Sequence, residues 1–406
     1  MSRVLVYTTP ARGHLYPIVP MLTELRRRGH TVAVRTLAGE VDRMRGLRFA
    51  AAPLAPAIEA CALDDWKAKS QTEALALATR TFIARAQHEV PDLRAAIVAT
   101  APDVLLIDIN AWGATAVAET SGLPWALFSP YCLPLPSIDV PPFGPGLAPR
   151  KGPLGKLRDA LVRRVVHGVV NRQLPALNAM RAGVGAGAIA DMAEYAAAAP
   201  LVLALTAEPF EYPRTDWPRS VRLVGPGLWD PPAEPPPWLD ESPEPLVLVT
   251  ASTEPQDDGR LIEAALVALR DEPLRLVVTT AALDPARFTP QPRARIERFL
   301  PHGPLLARAA CLVCHGGMGV TQKALAAGVP VCVVPFGRDQ PEVARRAEVA
   351  GAGTRLPLGR LRPDRLRAAV RGAIACKAGA ERIAAAFSAI KPHLAADAIE
   401  ALLSRR

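Results

Sequence analysis

The sequence predicts an α/β protein made of two halves of similar size, each built on a parallel β-sheet. Short apolar strands alternate with amphipathic helices near the start of the chain and again from Leu246 to Ala352, which is the pattern of parallel strands joined by crossover helices. Between the halves the chain reads Trp229-Asp-Pro-Pro-Ala-Glu-Pro-Pro-Pro-Trp238. A proline run of this kind is stiff, extended and solvated, so we interpret it as a boundary between two domains.

The chain divides around that boundary. We expect an N-terminal domain at 1–228, a proline-rich linker at 229–245, a C-terminal domain at 246–390, and a last helix at 391–406 that can pack back on the N-terminal domain. Two α/β domains joined in this way place a ligand cleft between the carboxyl ends of their sheets. A second proline cluster, from Pro134 to Pro153, cannot lie inside a sheet, so we expect a long surface loop there.

The composition excludes several classes of protein. Of the 406 residues, 50% are hydrophobic and 21% are charged, which excludes a disordered chain. No run reaches the ~18 apolar residues of a membrane span, and the first apolar run, Val4 to Tyr7, is too short for a signal peptide. We therefore expect a cytoplasmic protein. The net charge of +9 is spread along the chain without a basic and aromatic module, so we expect no nucleic-acid partner.

The six cysteines are dispersed along the chain, as is usual for reduced thiols in an intracellular protein. Cys311-Leu-Val-Cys314 has the C-x-x-C spacing of a metal or redox site. It lies in an apolar run, however, and no second pair completes a zinc site. We therefore expect buried strand thiols here, and we expect no bound metal.

The elements of the first half follow from its periodicity. A strand, a helix whose apolar residues recur near the 3.6-residue period, and a second strand open the chain. A further strand, helix and strand follow later. The predicted bounds are Arg3–Thr8, Leu15–Arg28, Thr31–Arg35, Val104–Ile107, Trp112–Ser121 and Trp125–Phe128.

The first strand-to-helix loop reads Thr9-Pro-Ala-Arg-Gly-His14. It has one glycine where a dinucleotide site has G-x-G-x-x-G, which argues against a nicotinamide cofactor. His14 should stand at the carboxyl edge of the sheet, at the start of a helix. A helix N-terminus disfavours the charged imidazole, so we expect a neutral ring that can accept a proton. The structural alternative is a histidine that caps the helix.

Asp108 follows the strand Val104–Ile107 and should emerge at the same edge. If the two strands are close in the sheet, its carboxylate can bond one nitrogen of the His14 ring. That bond would fix the tautomer and stabilise the imidazolium as it forms. The alternative is that Asp108 caps the helix that begins at Trp112.

An amphipathic helix is predicted over Lys156 to Leu174, with Leu157, Leu161, Val165 and Val169 on one face and basic residues around it. We expect the helix to pack on the N-terminal domain with its basic face in solvent. Weak binding to an anionic lipid surface is the alternative.

The second half contains the densest motif, His315-Gly-Gly-Met-Gly-Val-Thr-Gln-Lys-Ala-Leu325. A strand runs into a glycine-rich turn that opens a helix, and the free N–H groups there can hold a phosphate. His315 can donate a further bond. Asp339 and Gln340 follow the next strand, and a carboxylate beside an amide suits sugar hydroxyls. The alternative is a plain glycine turn followed by another helix cap.

With these motifs the chain resembles the family 1 glycosyltransferases, nucleotide-sugar-dependent enzymes of the GT-B fold. In that fold two Rossmann-like domains with parallel sheets face each other across a cleft. The resemblance covers nearly the whole chain and is strongest to the bacterial natural-product branch. It rests on Arg12-Gly-His-Leu-Tyr-Pro17, Asp108-Ile-Asn-Ala-Trp112, Val224-Gly-Pro226, Thr250-Ala-Ser-Thr253, Phe299-Leu-Pro-His302 and the glycine-rich segment through Asp339-Gln340.

The resemblance implies an inverting enzyme whose N-terminal domain binds the acceptor and whose C-terminal domain binds the donor. His14 would be the base and Asp108 its partner. The implied donor-binding residues are Thr253 near the donor, Phe299 and Leu300 at the nucleobase, His315, Gly317, Met318, Gly319 and Val320 at the diphosphate, and Asp339 and Gln340 at the sugar.

Two positions depart from the family pattern. Val320 stands where the family has a Ser or Thr that contacts phosphate, and Lys323 stands where many members have a Glu near the ribose. These departures motivate an alternative, a catalytically weak nucleotide-sugar-binding or activator protein. The presence of His14 and Asp108 argues against it, and it also argues against a nucleotide-sugar epimerase of similar fold.

The predicted reaction moves a sugar from a dTDP- or UDP-sugar to a hydroxyl of a small, largely apolar acceptor, with no cofactor and no metal ion. The expected partners are therefore small molecules, and a homodimer is left open. We expect the acceptor pocket to be built from the irregular segments Ile58–Leu77 and Pro134–Pro153.

Overall fold

The computed structural model describes residues 1–240, 244–254, 256–391 and 393–404. Residues 241–243 of the predicted linker and residues 392, 405 and 406 of the predicted C-terminal segment lie outside these ranges. Within them the chain forms two parallel sheets, and each sheet has hydrophobic clusters on both faces. The predicted α/β class is confirmed.

The first sheet contains seven strands, all parallel. They are β1 (Arg3–Tyr7), β2 (Thr31–Thr36), β3 (Ala50–Pro53), β4 (Val104–Asp108), β5 (Trp125–Ser129), β6 (Val202–Ala204) and β7 (Val221–Leu223). Their order is β3-β2-β1-β4-β5-β6-β7. Because β4 and β5 are buried on both faces, they appear in the sequence as continuous apolar runs.

The second sheet contains six parallel strands. They are β8 (Leu246–Thr250), β9 (Arg275–Thr279), β10 (Ala294–Glu297), β11 (Ala309–Cys314), β12 (Val331–Val333) and β13 (Gly353–Arg355), in the order β10-β9-β8-β11-β12-β13. Cys311 and Cys314 are fully buried on β11 as free thiols, which confirms the prediction of strand cysteines.

Sixteen α-helices are found in the described residues. They are α1 (Arg12–Leu15), α2 (Val19–Arg27), α3 (Val41–Gly46), α4 (Pro56–Ala60), α5 (Gln71–Thr100), α6 (Trp112–Thr120), α7 (Pro153–Val170), α8 (Leu174–Gly183), α9 (Met192–Ala197), α10 (Gly259–Ala268), α11 (His302–Leu306), α12 (Met318–Ala326), α13 (Gln340–Val349), α14 (Pro363–Ile374), α15 (Lys377–Ser388) and α16 (Leu394–Leu403). None of them combines the length and apolar character that crossing a bilayer requires.

The first predicted helix is interrupted in the structure. The segment expected to be one helix over Leu15–Arg28 forms α1, a 3₁₀ turn at Tyr16–Ile18, and α2. Pro17 and Pro20 lie at the first positions of the last two pieces. Because proline has no N–H and clashes with the preceding turn, the backbone starts a new helical segment at each of them.

The segment Ile58–Leu77 is less irregular than the sequence suggests. It contains the end of α4, a 3₁₀ turn at Asp65–Lys67 and the start of α5. Helix α5 is 30 residues long and contains Pro91, and α6 packs against it. The interpretation of this segment as loop was therefore wrong over its helical parts.

Helix α7 packs with a different face from the one expected. Leu157, Leu161 and Val165, predicted to face the domain, are each 59% exposed. Gly155 is buried against the backbone of Arg150. The prediction of an apolar packed face was wrong, because polar side chains anchor this helix instead.

The two points where the strand order reverses lie at the centre of the molecule. In the first sheet β1 and β4 are neighbours, and in the second sheet β8 and β11 are neighbours. In open parallel sheets ligands bind outside the carboxyl ends of the strands at such a reversal. The carboxyl ends of these four strands, and the segments that directly follow them, carry His14, Asp108, Thr253 and the glycine-rich turn.

The last helix returns to the first domain. Ala395, Ala396 and Ile399 of α16 join the core cluster of the first sheet. Its Glu400 accepts hydrogen bonds from Arg28 at 2.5 Å and from His30 at 3.0 Å. The end of the chain thus ties the second half to the first.

Candidate active site

His14 and Asp108 form a hydrogen-bonded pair. Nδ1 of the His14 ring lies 3.0 Å from Oδ1 and 2.9 Å from Oδ2 of Asp108. The pair exists because β1 and β4 are adjacent, which brings the loop after β1 beside the last residue of β4. The Asp108 side chain is fully buried, while 17% of the His14 side chain is exposed. Since Asp108 occupies Nδ1, the ring nitrogen that can take a proton from the cleft is Nε2.

The structural alternatives for these two residues do not hold. The N-cap of α6 is Ala111, without a side-chain cap bond, and the Gly113 N–H of that helix donates to Glu89 Oε2 at 2.8 Å. Asp108 instead accepts from the N–H groups of Thr9, at 3.1 Å, and Asn110, at 2.9 Å. These bonds hold the carboxylate facing His14. His14 itself lies within α1, whose cap is Ala11.

Aromatic rings lie beside His14. The ring of Tyr131 is 5.8 Å from the His14 ring, centroid to centroid, and the ring of Phe143 is 6.3 Å from that of Tyr131. The Tyr131 hydroxyl donates to Asn110 Oδ1 at 2.8 Å. The loop 134–153 thus contributes an aromatic side chain that neighbours Tyr131, the tyrosine that lies beside His14 and bonds to the loop after β4.

The glycine-rich turn owes its shape to two glycines with different roles. Gly316 has a φ of +99°, and a Cβ there would meet Val333 at 2.8 Å. At Gly317 a Cβ would lie 2.6 Å from Nε2 of His315. These residues let the turn close tightly over β12 and the His315 ring. Gly319, in contrast, has open space where its Cβ would be.

The N-terminus of α12 is left without a protein cap. Gly317 is the N-cap and provides no side chain, so the first N–H groups of the helix, on Met318, Gly319 and Val320, lack intrahelical partners. Such a helix end attracts anions through its dipole and its free N–H groups. The arrangement suits a phosphate group, as the sequence predicts.

His315 lies at the base of the same turn. Burial, together with the nearby charge of Arg338, lowers the pKa of its imidazole from 6.5 to about 4, so the ring is neutral near neutral pH. Its buried Nδ1 makes no hydrogen bond within the described part of the chain, and Oδ2 of Asp258 is 3.9 Å away. A neutral imidazole can still donate one hydrogen bond to an anion.

In the structure, both residues that depart from the family pattern, Val320 and Lys323, contact other parts of the chain. Val320 packs against the core of the second domain. The neighbouring Thr321 is buried, and its hydroxyl lies 3.7 Å from Sγ of Cys314, so it faces the core. Lys323 pairs with Asp230 of the linker at 2.5 Å. Its charge is therefore engaged with a carboxylate of the chain.

Asp339 and Gln340 lie in different environments. Burial raises the pKa of Asp339, and a backbone hydrogen bond, His14 and Arg338 oppose the rise. The Gln340 amide is buried, and its Oε1 accepts from the N–H groups of Phe336, at 2.7 Å, and Gly337, at 3.1 Å. The glutamine therefore shapes the loop that presents the aspartate.

The remaining predicted donor residues lie on one side of the glycine-rich turn. Thr253 is exposed in the loop after β8, and Phe299, 59% exposed, follows β10 with Leu300 behind it against the core. Strands β10 and β11 are three positions apart in the sheet, or about 14 Å at the usual strand spacing. A ligand that reaches from Phe299 to the turn must therefore be extended.

Two contacts across the cleft could not be predicted from the sequence. The Arg338 guanidinium donates to both carboxylate oxygens of Asp65, with Nη2 2.8 Å from Oδ1. One oxygen of Glu342 accepts the N–H groups of Gly144 at 2.9 Å and Gly146 at 2.8 Å. Both segments expected to form the acceptor pocket thus touch the second domain on either side of Asp339.

A cluster of His, Cys, Asp and Glu side chains able to hold a metal ion is not found among the described residues. In the cleft, carboxylates and cations instead pair with one another. Glu254, next to Thr253, is half-buried, and burial raises its pKa while Arg338, Arg12 and Arg85 oppose the rise. The loop after β8 therefore adds an acidic group opposite the arginines of the cleft.

Comparison with protein families and known sequences gives concordant matches. The family model "Erythromycin biosynthesis protein CIII-like, C-terminal domain" matches residues 266–402. The chain is 36% identical to 4'-demethylrebeccamycin synthase of Lentzea aerocolonigenes over 390 residues, which cover 92% of each chain. It is 34% identical to a PGL/p-HBAD biosynthesis glycosyltransferase of Mycobacterium tuberculosis over 178 residues, 43% of this chain and 41% of that one.

Solved structures show the same fold over the whole chain. The glycotransferase of kitacinnamycin superimposes with a TM-score of 0.74 at 23% identity and covers 99% of both chains. The glycosyltransferase VinC, solved in complex with dTDP, superimposes with a TM-score of 0.73 at 22% identity and covers 100% of both chains. These likenesses show that two parallel-sheet domains facing across a cleft are the architecture of this protein.

Proposed function

The protein belongs to the family 1 glycosyltransferases of GT-B fold, in the branch of bacterial natural-product pathways, and on that premise we propose that it is an inverting enzyme with His14 as its base. The observation that carries the proposal is the buried Asp108 carboxylate held against Nδ1 of His14, at the strand-order reversal of the first sheet.

The base is needed because an alcohol hydroxyl is not appreciably ionised near neutral pH. Nε2 of His14 would take the hydroxyl proton while the oxygen forms a bond to the anomeric carbon. The bond from that carbon to the diphosphate oxygen breaks on the opposite face, which inverts the configuration. The fixed charge of Asp108 would stabilise the imidazolium that forms.

The diphosphate would lie at the N-terminus of α12. Hydrogen bonds would stabilise the negative charge that develops on the leaving oxygen. They would come from the free backbone N–H groups of Met318, Gly319 and Val320 and from the ring N–H of His315. Thr253 would contact the donor beside this turn, and Phe299 would stack on the nucleobase with Leu300 beneath it. Asp339, with its loop fixed by Gln340, would bind the sugar hydroxyls next to His14.

The acceptor would be a small, largely apolar natural product. Support comes from the ring of Tyr131 beside the His14 ring and the ring of Phe143 beside that of Tyr131, which would provide an apolar wall next to the proposed base. A dTDP- or UDP-sugar is the proposed donor class, and the complex of the structural relative VinC with dTDP supports the first. We also propose that the reaction needs no metal ion, since the helix end and His315 supply the groups that face the diphosphate.

The proposal is tested by product formation with a panel of dTDP- and UDP-sugars and aromatic natural-product acceptors. Proton NMR of the product gives the anomeric configuration, which should be opposite to that of the donor. His14→Ala should lower kcat by about 10²–10⁴, the range of general-base catalysis, with little change in dTDP affinity.

A matched control is available in the same domain. Nδ1 of His167 lies 3.0 Å from Asp191 Oδ2, so His167→Ala breaks a similar pair on helix α7, which lies outside the two strands at the reversal. It should leave kcat unchanged. A product with retained configuration, or equal kcat for His14→Ala and the wild type with chemistry rate-limiting, would disprove the mechanism.

A further inference from the structure

Helix α7 presents a row of apolar side chains to solvent. Leu154 is 67% exposed, and Leu157, Leu161 and Val165 are each 59% exposed. Their spacing of three, four and four residues places them on one side of a helix. We call these four residues the α7 face. An apolar row of this length is unusual on a surface that meets only water.

The α7 face cannot turn inward, because polar side chains anchor the helix in its present orientation. Arg158 donates to the Ala148 carbonyl at 2.9 Å, Arg163 donates to the Ser137 carbonyl at 2.7 Å, and His167 is bound to Asp191. Gly155 packs on the backbone of Arg150 with no room for a side chain. The exposure of the apolar side is therefore built into the structure.

Exposed basic residues border the α7 face. Arg150 and Lys151 precede the helix, Arg164 lies one turn beyond Leu161 on the same side, and Arg172 follows the helix. The one carboxylate on α7, that of Asp159, pairs with Arg158 and lies on the opposite side of the helix from Leu157.

The position of these cations is unfavourable for the helix alone. Acidic residues stabilise a helix N-terminus and basic ones do not, yet the first turn of α7 has no acidic residue and two exposed cations directly precede it. Cations at this end are explained if an external anionic surface lies against them.

A second copy of the chain fits this surface poorly. A twofold interface places the same patch on both subunits, so it would bring Arg164 and its basic neighbours of one copy against those of the other. We propose instead that the α7 face docks on an anionic phospholipid bilayer. Its apolar side chains enter the boundary of headgroups and acyl chains, and the flanking cations contact lipid phosphates.

This docking goes beyond the transfer reaction itself. The loop that leads into α7 contains Phe143 and is tied to the donor domain through Gly146. A bilayer on α7 would thus lie near the acceptor side of the cleft, where an apolar acceptor dissolved in lipid would be at high local concentration.

The test is co-sedimentation of the full chain with two kinds of vesicle, phosphatidylcholine alone and phosphatidylcholine mixed with phosphatidylglycerol. We expect binding to the mixed vesicles only, and release at about 1 M salt, where the Debye length falls to ~3 Å. The double variant Leu157→Glu/Leu161→Glu should bind more than about tenfold more weakly. Arg164→Gln and Arg172→Gln should each weaken binding roughly fivefold.

Val98→Glu is the matched control, because Val98 is an isolated apolar residue, 83% exposed, on another helix of the same domain. It should bind like the wild type, and circular dichroism shows that each variant is folded. Lack of binding to mixed vesicles, or equal binding to both vesicles, would overturn the proposal. So would a dimer in sedimentation velocity that the double variant abolishes, since the α7 face would then belong to a second copy.

Discussion

Replacing Asp108 by asparagine is the sharpest test of the proposed base, because the substitution keeps the size of the side chain and removes its charge. The carboxylate is fully buried and accepts three N–H groups, from Thr9, Asn110 and the His14 ring. Asparagine offers one oxygen. Its NH₂ group must therefore face the N–H of either Thr9 or Asn110. Both the NH₂ group and that N–H are hydrogen-bond donors, so no bond forms between them.

The size of the effect follows from these contacts. One buried N–H loses its partner, which costs about 1–3 kcal/mol of folding free energy. For catalysis, the comparable Asp to Asn change in a Ser-His-Asp triad lowers kcat by about 10⁴. We expect a loss of about 10²–10⁴ in kcat, or about 3–5 kcal/mol in activation free energy. Donor affinity should change little, since the donor turn belongs to the other sheet.

The assay measures kcat at saturating donor and acceptor, dTDP affinity by calorimetry, and the melting temperature. Asp92→Asn is the control, since that buried carboxylate accepts from Tyr7 and Arg35 in the same domain. It should lower stability and keep kcat per folded enzyme. A phenolic acceptor, with a pKa near 10, should show a smaller defect in Asp108→Asn than an aliphatic alcohol. Wild-type kcat in Asp108→Asn, with chemistry rate-limiting, would refute the reasoning.

Three other predictions concern the donor turn and the buried carboxyl of α5. Gly319→Ala should keep or raise the free energy of unfolding, by roughly 0.5–1 kcal/mol. It should also weaken dTDP binding about tenfold or more, because its methyl enters the space proposed for the phosphate. Unchanged affinity in calorimetry would show that the phosphate does not lie beside Gly319. Val320→Thr should preserve or improve dTDP affinity in the same assay, and a large loss would show that the valine packing is essential. Burial raises the pKa of Glu89 from 4.5 to about 8, so its stabilising contribution is complete below 4.5 and lost as the pH rises through 8. Glu89→Gln should therefore match the wild type in urea unfolding near pH 4, and exceed it at about pH 8.

The central strands could be predicted from the sequence because β1, β4, β5, β8 and β11 are largely continuous apolar runs. The bounds of helix α5 could not. It carries buried Arg85, Glu89 and Asp92 among its apolar residues and a proline in its interior, so its apolar residues form no single regular stripe. Its burial is decided by contacts with α6 that periodicity does not contain.

Helix α7 shows a second limit of pattern reasoning. Its sequence predicts an amphipathic helix, and the structure has one at Pro153–Val170. The pattern cannot tell which face is packed when polar side chains find partners such as the Ser137 carbonyl. The assumption that apolar means buried therefore gave the wrong face.

The candidate site was predictable to the extent that it lies at strand ends. His14 and Asp108 are 94 residues apart, but parallel neighbours bring the carboxyl ends of their strands together. Asp65 and Arg338, 273 residues apart, belong to different sheets. No strand register links them, and Asp65 lies in a short polar turn with no local sign of its partner.

These unforeseen contacts bear directly on the sugar-binding segment. Arg338 directly precedes Asp339 and has a φ of +57°, a left-handed conformation that an arginine rarely adopts, and its side chain is held by Asp65. Glu342, three residues after Asp339, is held by Gly144 and Gly146. Asp339 thus lies between two residues that bond to the first domain, so it cannot move away from that domain unless those bonds break. The contacts between the two domains therefore also fix the position of the residue proposed to bind the sugar.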